Sequence, residues 1–276
     1  MLTACAETRR SAPQSCTAPT GVVAFAATEL RLGEPPLYPE ETPRTASVPA
    51  FDIDRSEVTN ADFARFVAQT GYVTTAKRDQ PGFGVPGGAV FRPPTATNPS
   101  WWHFVEGANW RQPEGPGSAE GKRPTGDHPV VQVSLRDARA YADWAGRAIP
   151  TEDQWEYAAG RDPARGHGAA TANAWQGAFP ISNTAEDGFA GRAPVGCFPP
   201  NAAGLHDMIG NVWEWTRTPA SEPTANGSQI FVVKGGSYLC APNFCRRDRA
   251  AARQPQDETF STNHIGFRTV SRPLAD

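Results

Sequence analysis

The chain has 276 residues and a formal net charge of -3, and hydrophobic residues make up 39% of it. A chain of this length suits one large domain with a substantial core. The acidic balance argues against a nucleic-acid binder that relies on a basic surface. No apolar run approaches the roughly 20 residues that span a membrane. Glycine and proline are abundant, with 26 and 27 residues, which predicts an ordered fold of short regular elements and many specified loops.

Residues 1–20 are polar and lack periodicity, so we expect a flexible lead-in before a single domain over residues 21–276. The stretch from Leu2 to Cys5 is similar to a bacterial lipoprotein cleavage box, but it is too short to supply the apolar core of a signal peptide. An exported or lipid-anchored form is therefore expected only if the chain is truncated at this end. Short strands are predicted at Val22–Phe25 and Leu30–Leu32.

Three segments carry helical signals. Thr59 has the character of an N-cap before a helix that ends at Gly71. Ser134 precedes a second helical segment, whose apolar residues repeat every 3.6 positions and which ends at Gly146. A third helix is predicted from Thr151 to Ala159, with a capping box at its start.

The rest of the chain is irregular in pattern. Residues 72–130 are rich in proline, glycine and tryptophan, and almost nothing after residue 160 has a helical period. No internal repeat and no linker-like composition break appears. The expected fold class is α+β, as a single loop-rich domain with little regular secondary structure. Long structured loops in a compact domain are usually functional.

Two cysteines stand five residues apart in GGSYLCAPNFC, namely Cys240 and Cys245. The usual phosphate-loop, nucleophile-elbow and zinc-binding patterns are missing, and the five histidines are scattered. Arginines follow the pair at once, and nearby positive charge favours a reactive thiolate. Two thiolates without other ligands suit a soft ion such as Cu(I). The spacing alone leaves open a disulfide, plain buried thiols, a redox pair or a copper site.

Two further segments offer oxygen ligands. Asp207 and Glu214 flank a turn with glycine and asparagine, and Asn173 and Asp187 flank another. Side-chain oxygens supplemented by loop carbonyls suit Ca²⁺. The alternative for both segments is capping of turns by the same side chains.

These residues carry a resemblance to the formylglycine-generating enzymes, also called sulfatase-modifying factors. The matching segments cover most of the chain from about residue 20 onward, in family order. They read WWHFVEGANWRQPEG (101–115), DHPVVQVS (127–134), WAGRAIPTEDQWEYAA (144–159), ANAWQGAFPISNTAEDGF (172–189), GLHDMIGNVWEWT (204–216) and GGSYLCAPNFC to IGFR (235–268). The cysteine pair combined with ANAWQGAFP and NTAEDGF is the most specific part. The resemblance implies a domain of the formylglycine-generating enzyme or C-type-lectin-like type.

The resemblance also implies an activity. The chain would be an aerobic oxidase that converts a cysteine in a Cys-x-Pro-x-Arg motif of nascent or unfolded sulfatases to Cα-formylglycine. Cys240 and Cys245 would hold Cu(I), with O₂ as the oxidant and an external thiol reductant. Ser237 and Trp213 match positions that line the oxygen and thiol pocket. Glu57 and His264 match positions that contact the substrate peptide.

Two structural Ca²⁺ sites are implied in the same way. The first set is Asn173, the Ala174 carbonyl, Asp187 and the Phe189 carbonyl. The second set is Asp207, the Gly210 carbonyl, the Val212 carbonyl and Glu214.

The departures from the family suggest a location. Vertebrate members have two disulfides at positions that here are Ala142 with Thr269 and Ala159 with Ala250. Their absence predicts a bacterial cytoplasmic protein in a reducing compartment. We expect the protein to act as a monomer. Cys197 is then expected to be a plain thiol. The runner-up is a non-catalytic paralogue that serves as a protein-interaction module. An iron-dependent sulfoxide synthase is disfavoured because the histidines are not clustered.

Overall fold

The computed structural model describes residues 16–118, 126–160, 171–223 and 227–272. Within these ranges the chain forms the helices α1 (Asn60–Thr70), α2 (Leu135–Trp144) and α3 (Glu152–Ala159), and a 3₁₀ turn at Thr75–Lys77. The strands, listed in chain order, are β1 Val22–Phe25, β2 Thr28–Leu32, β3 Arg44–Val48, β4 Phe51–Asp54, β5 Gly87–Phe91, β6 Trp102–Glu106, β7 Arg147–Ala148, β8 Trp213–Ser221, β9 Ile230–Lys234, β10 Gln254–Asp257, β11 Ile265–Gly266 and β12 Val270–Ser271. The predicted α+β, loop-rich class is confirmed.

The three predicted helices form because their ends are locally determined. The side chains of Thr59, Ser134 and Thr151 each accept a hydrogen bond from the backbone N–H three residues later. The side chain of that later residue accepts a hydrogen bond from the backbone N–H of the cap. Such a reciprocal capping box satisfies N–H groups that the helix itself cannot pair. The first helix ends at Gly71, which adopts a positive φ of 68°.

The strands form two four-stranded sheets and two hairpins. One sheet has the order β1-β4-β12-β7 and the other the order β10-β9-β8-β11, whereas β2 pairs with β3 and β5 with β6. The β5–β6 hairpin lies inside the stretch 72–130, which the sequence pattern had indicated to be irregular. β11 runs parallel to β8 and pairs Ile265 with Trp213 and Gly266 with Glu214. This pairing brings the predicted pocket residue Trp213 beside the segment that contains His264.

The main core packs α1 and α2 against β8 and β9. Phe63 of α1 stacks on Tyr141 of α2 with ring centroids 5.9 Å apart, and its ring edge meets Phe267 at 6.4 Å. Cys240 belongs to this buried cluster, together with Trp213. One end of the predicted cysteine pair is therefore set in the most tightly packed part of the fold.

The prediction that Cys197 is a plain thiol is wrong, because Cys197 forms a disulfide with Cys16. The bond joins residues 181 positions apart, and no local pattern in the sequence marks such a pairing. Beside it, a Cβ on Gly196 would lie 2.9 Å from the Thr17 carbonyl oxygen. The N-terminal segment of residues 16–20 therefore packs closely against this loop. Most of the predicted flexible lead-in, residues 1–15, lies outside the described residues.

Candidate functional site

The Cys240 and Cys245 sulfurs lie 2.9 Å apart and are not joined by a disulfide. The backbone between them turns tightly, since the Cys240 N–H donates to the Ser237 carbonyl at 2.8 Å and the Cys245 N–H donates to the Ala241 carbonyl at 3.0 Å. Just before this turn, Gly236 has a φ of 75°, and a Cβ there would come within 2.8 Å of the Asp248 Cα. The glycine is therefore required for the chain to approach itself at this point.

The two thiols have different environments. Burial raises the pKa of the Cys240 thiol, which is almost fully enclosed. The hydrogen bond from Cys240 lowers the pKa of the Cys245 thiol, and the backbone N–H and the charge of Arg247 lower it further. Cys245 is therefore the sulfur that ionises first, and the Cys240 thiol donates a hydrogen bond to it. A sulfur pair of this kind, with one buried and one half-exposed member, can bind a soft metal ion or undergo oxidation.

Ser237 and Trp213, the two predicted pocket residues, are both buried in the surroundings of Cys240. Ser237 is buried three residues before Cys240, and its Oγ accepts a hydrogen bond from the Leu239 N–H at 3.3 Å. Trp213 is buried in the same cluster as Cys240, and its backbone N–H donates to the His264 carbonyl at 2.9 Å. Their role at the sulfurs, as a hydroxyl and an apolar wall, stays a prediction.

An aromatic group next to the sulfurs was not expected from the sequence. The Trp175 backbone N–H donates to the Cys240 carbonyl at 2.9 Å. The Trp175 ring packs edge-on against the ring of Phe179, with centroids 5.1 Å apart. Phe179 in turn stacks on Phe244 at 4.3 Å, and Trp101 meets the Phe244 ring at 5.9 Å. Phe244 is 53% exposed. The chain neighbour of Cys245 thus presents an aromatic surface to solvent.

His264 is buried, although the resemblance places it on a substrate groove. Its Nδ1 lies 2.9 Å from the Thr262 Oγ1, and its ring lies 4.7 Å from the ring of Trp102, which is 38% exposed. Burial lowers the pKa of His264 to about 3, so the imidazole is neutral near pH 7. Trp102 therefore stands between this histidine and solvent.

The structure does not support a substrate contact for Glu57, because this side chain is 1% exposed. Its Oε1 accepts a hydrogen bond from the Asn211 Nδ2 at 3.1 Å, whereas its Oε2 is buried and has no hydrogen-bond partner. Burial, followed by the charges of Asp207 and Glu214, raises the pKa of Glu57 well above its ordinary value. Glu57 belongs to an interior group of acidic residues, which could not be predicted from the sequence because the group assembles only in the tertiary fold.

The guanidinium of Arg268 lies within this interior group of acidic residues. Arg268 donates two hydrogen bonds of 2.7 Å to the two oxygens of Glu214, and all atoms of both side chains are buried. The Trp155 Nε1 donates to the same carboxylate at 2.8 Å. Burial raises the pKa of Asp207 to about 6. If Glu57, Asp207 and Glu214 were all ionised, three negative charges would face one positive charge, so protons or a cation must offset the excess.

The second predicted calcium set lies in this interior group of acidic residues. Both oxygens of Glu214 are already bound by Arg268 and Trp155. An Oδ2 of Asp207 accepts the Gly196 N–H at 2.7 Å. In the described ranges, no group of three or more His, Cys, Asp or Glu side chains could hold a metal ion. A calcium ion held by Asp207, Glu214 and the carbonyls of Gly210 and Val212 therefore stays a prediction.

The first predicted calcium set fits better. The Asn173 Oδ1 is buried without a hydrogen-bond partner, while its Nδ2 donates to the Gly191 carbonyl and the Asn211 Oδ1, each at 3.0 Å. The Gln176 Nε2 donates to the Asp187 Oδ2 at 2.9 Å and also to the Ala174 carbonyl. Two predicted ligands thus converge on one amide, and a third presents an orphaned oxygen. Such an oxygen-rich, partly unsatisfied group is suited to a cation.

Gln176 is a further member of this group that the sequence reasoning missed. It lies three residues after Asn173 in the predicted loop, and its side-chain amide also approaches the Asp187 N–H, at 3.4 Å from Oε1. The Phe189 N–H donates to the Asp187 Oδ1 at 2.9 Å, so the loop closes back on the same carboxylate. An amide carbonyl is a ligand that Ca²⁺ accepts, and the presence of glutamine in the loop was the available signal.

Comparison with known proteins places these residues in a family. The model of the sulfatase-modifying factor enzyme 1-like domain matches residues 3–273. The chain is 45% identical to a formylglycine-generating enzyme of Mycobacterium tuberculosis, over 89% of this chain and 95% of that protein. It is 38% identical to a Bos taurus protein named inactive C-alpha-formylglycine-generating enzyme 2, over 83% and 80% of the two chains. The solved structure of PvdO from Pseudomonas aeruginosa has a TM-score of 0.64 at 21% identity, over 92% and 95% of the chains, and this likeness shows the fold alone.

Proposed function

This chain belongs to the sulfatase-modifying factor family, and on that premise we propose that it oxidises a cysteine of sulfatases, within a Cys-x-Pro-x-Arg motif, to Cα-formylglycine. The observation that carries the proposal is the unbonded pair of sulfurs 2.9 Å apart, one buried and one half-exposed. A pair kept only for stability would be expected as a disulfide, like the one that Cys16 and Cys197 form.

The residues present fit a Cu(I) ion at Cys240 and Cys245, because thiolates are the soft ligands that Cu(I) prefers. When bound there, copper would supply the one-electron chemistry that lets O₂ react with a thiol. Conversion of the thiol to the aldehyde breaks the C–S bond, releases the sulfur as H₂S and yields two electrons. O₂ takes up four electrons on its way to water, so the proposal includes an external thiol reductant that supplies the other two and becomes a disulfide.

The protein side of the reaction follows from the surroundings of the sulfurs. Cys245 ionises more readily than Cys240, so it is the better first ligand for a cation or first base for an incoming thiol proton. Trp213 and the packed cluster around Cys240 exclude water from the inner sulfur. Ser237 offers a hydroxyl on the same turn. The exposed aromatic ring of Phe244 borders the path by which a peptide would reach Cys245.

A direct assay tests the proposal. The recombinant protein is loaded with Cu(I) and incubated in air with a thiol reductant and a peptide that contains Cys-x-Pro-x-Arg. We expect a product whose mass corresponds to replacement of the CH₂SH group by an aldehyde and which reacts with a hydrazine. A peptide with serine in place of the cysteine is the control and should remain unchanged. The enzymatic proposal fails if the copper-loaded protein leaves the cysteine peptide intact.

The alternative is a non-catalytic paralogue that binds partners, and one relative carries the name inactive. The free sulfur pair with its adjacent Ser237 favours the enzyme over this alternative. In the same assay, a paralogue would bind the peptide without changing its mass.

The remaining expectations concern the partners of the protein and its location in the cell. The proposed partners are an unfolded or nascent sulfatase, O₂ and a thiol reductant, with the protein acting as a monomer. In the described part of the chain, no helix combines the length and the apolar character needed to cross a membrane. The Cys16–Cys197 disulfide is typical of oxidising compartments, so it does not support the expected cytoplasmic location.

We further propose a Ca²⁺ ion at Asn173, the Ala174 carbonyl, Asp187 and the Phe189 carbonyl. A ligand that binds only the folded state stabilises it by about 2.7 kcal/mol when its free concentration is one hundred times its Kd, which is about 5 to 10 °C in Tm for a domain of this size. Excess Ca²⁺ should therefore raise Tm relative to excess EDTA, and Asp187→Asn should reduce that difference because a charged ligand is lost.

The matched control for Asp187→Asn is Asp143→Asn, which removes an exposed carboxylate that pairs with Arg272. This control should keep the calcium response of the unmodified protein. Equal Tm values for the unmodified protein in Ca²⁺ and in EDTA, measured by differential scanning calorimetry, would contradict the calcium proposal.

A further inference from the structure

The loop that joins β2 to β3 lies against the segment that follows Cys245. The Arg247 Nε donates to the Glu40 Oε1 at 3.2 Å, and the Arg247 guanidinium lies 4.0 Å above the ring of Tyr38. The Arg246 backbone N–H donates to the Tyr38 Oη at 3.2 Å. A tyrosine and a glutamate, more than 200 positions earlier in the chain, therefore hold the two residues directly after the second cysteine.

The loop itself is fixed by a second anchor. Arg249 forms an ion pair with Glu41, whose side chain is fully buried. The Arg249 Nη1 also donates to the Pro35 carbonyl at 3.1 Å. The Glu41 Oε2 accepts the Leu37 N–H at 2.6 Å. A buried, charge-assisted contact of this kind holds its partners more firmly than an exposed ion pair does. Tyr38 and Glu40 are thus presented from a rigid support rather than from a mobile tip.

Arg247 connects this support to the sulfur. Its backbone N–H hydrogen-bonds the Cys245 thiol, and its charge acts on the same group. Cys240 needs no such support, because it is buried in the main core and its N–H is bound by the Ser237 carbonyl. Cys245 is less buried and only packs against that core from its edge, so the residues that follow it contribute to its position.

We propose that Tyr38 and Glu40 are positioning residues for Cys245, which act through Arg246 and Arg247 and set the distance between the two sulfurs. The inference rests on the proposed function in one respect, namely that the sulfur pair holds Cu(I). A metal ion shared by two sulfurs requires both of them at a fixed separation, and partners that orient a ligand commonly change metal affinity by about 10- to 100-fold when removed. The β2–β3 loop then contributes to metal binding because it orients Cys245, although none of its residues binds the metal.

The test is a double-variant cycle read out by Cu(I) affinity. Glu40→Gln, Arg247→Gln and the double variant are compared in the full chain, with Kd measured by competition against a chromophoric Cu(I) chelator. We expect Glu40→Gln to weaken Cu(I) binding about tenfold or more. The double variant should bind no more weakly than Arg247→Gln alone, because Glu40 acts through that arginine. Tyr38→Phe, which removes the acceptor of the Arg246 N–H, should weaken binding in the same direction.

Glu34→Gln is the matched control, since Glu34 lies in the same loop but pairs with the exposed Arg31. It should leave the Cu(I) affinity within about twofold of the unmodified protein, the range expected for loss of a surface ion pair. A Glu40→Gln affinity within that same range, or fully additive effects of Glu40→Gln and Arg247→Gln, would overturn the positioning role. The Tm of each metal-free variant shows whether the fold is intact. If Glu40→Gln is unfolded, Glu40→Asp replaces it in the cycle, and if Arg247→Gln is unfolded, Arg247→Lys replaces it.

The affinity measurement is independent of catalysis. If the peptide assay fails while the affinity cycle holds, the proposed oxidation is wrong and the positioning role stands. If the assay succeeds while Glu40→Gln leaves Cu(I) affinity unchanged, the positioning role alone is wrong.

Discussion

Replacement of Cys240 by serine is expected to reduce aldehyde formation on the Cys-x-Pro-x-Arg peptide to the level of a blank without protein. A hydroxyl is a hard donor with little affinity for Cu(I), so one of the two soft ligands is lost. Serine is close to cysteine in size, and the buried position keeps its shape. The measurement is the peptide mass after incubation with Cu(I), air and reductant, together with the Tm of the variant.

The control for this prediction removes a different pair of sulfurs. The double variant Cys16→Ser/Cys197→Ser lacks the disulfide that joins positions 181 residues apart. It should lose about 2 to 5 kcal/mol of unfolding free energy, as is usual when a native disulfide is removed. The same variant should keep aldehyde formation per folded molecule. Full activity of Cys240→Ser would show that the reaction does not use this pair.

The largest expected change in stability follows from Arg268→Met. Arg268 is the cation bound to Glu214 in the interior, and it also lies close enough to Glu57 and Asp207 to act on their charges. Removing one member of a buried ion pair leaves an uncompensated charge and costs about 3 to 5 kcal/mol. Urea unfolding at pH 7.5 should therefore show a loss of that size.

The loss should depend on pH. Burial raises the pKa values of Glu57 and Asp207, the latter to about 6, so the folded state binds protons that the unfolded chain releases at lower pH. A carboxyl with a raised folded-state pKa makes the folded state less stable as pH rises from about 4, the unfolded pKa, through the folded pKa. The loss caused by Arg268→Met should be smaller at pH 5 than at pH 7.5.

Arg272→Met serves as the comparison for Arg268→Met. Arg272 is exposed and pairs with Asp143 at 2.9 Å, so its removal should change the unfolding free energy by about 1 kcal/mol or less. Equal losses for the two variants, or a loss for Arg268→Met that is the same at pH 5 and pH 7.5, would show that the interior carboxylates are neutralised by another route.

The parts of this molecule that the sequence predicted are those set by near neighbours in the chain. The helices begin at Thr59, Ser134 and Thr151 because each cap needs only the residue three positions later. Cys240 and Cys245 meet because five residues and a double glycine leave the turn few other conformations. The family resemblance supplied the meaning of that pair.

The parts that the sequence did not predict depend on distant segments. Glu57 is buried beside Asn211, which lies 154 positions later in the chain, whereas its local pattern is that of a surface carboxylate before a helix. The partner of Cys197 is 181 positions away, and five cysteines allow many pairings. The support of Cys245 by Tyr38 and Glu40 likewise joins segments that share no pattern.

The Cys16–Cys197 disulfide has a further consequence for metal selectivity. Sulfurs that are oxidised to a disulfide cannot act as thiolate ligands, so among the described cysteines only Cys240 and Cys245 remain to compete for a soft ion. A reductant strong enough to open the disulfide would create a second set of thiols on the protein surface. The choice and concentration of reductant would then determine how many copper ions each molecule takes up, and a metal-to-protein ratio measured without control of the disulfide would count two kinds of site.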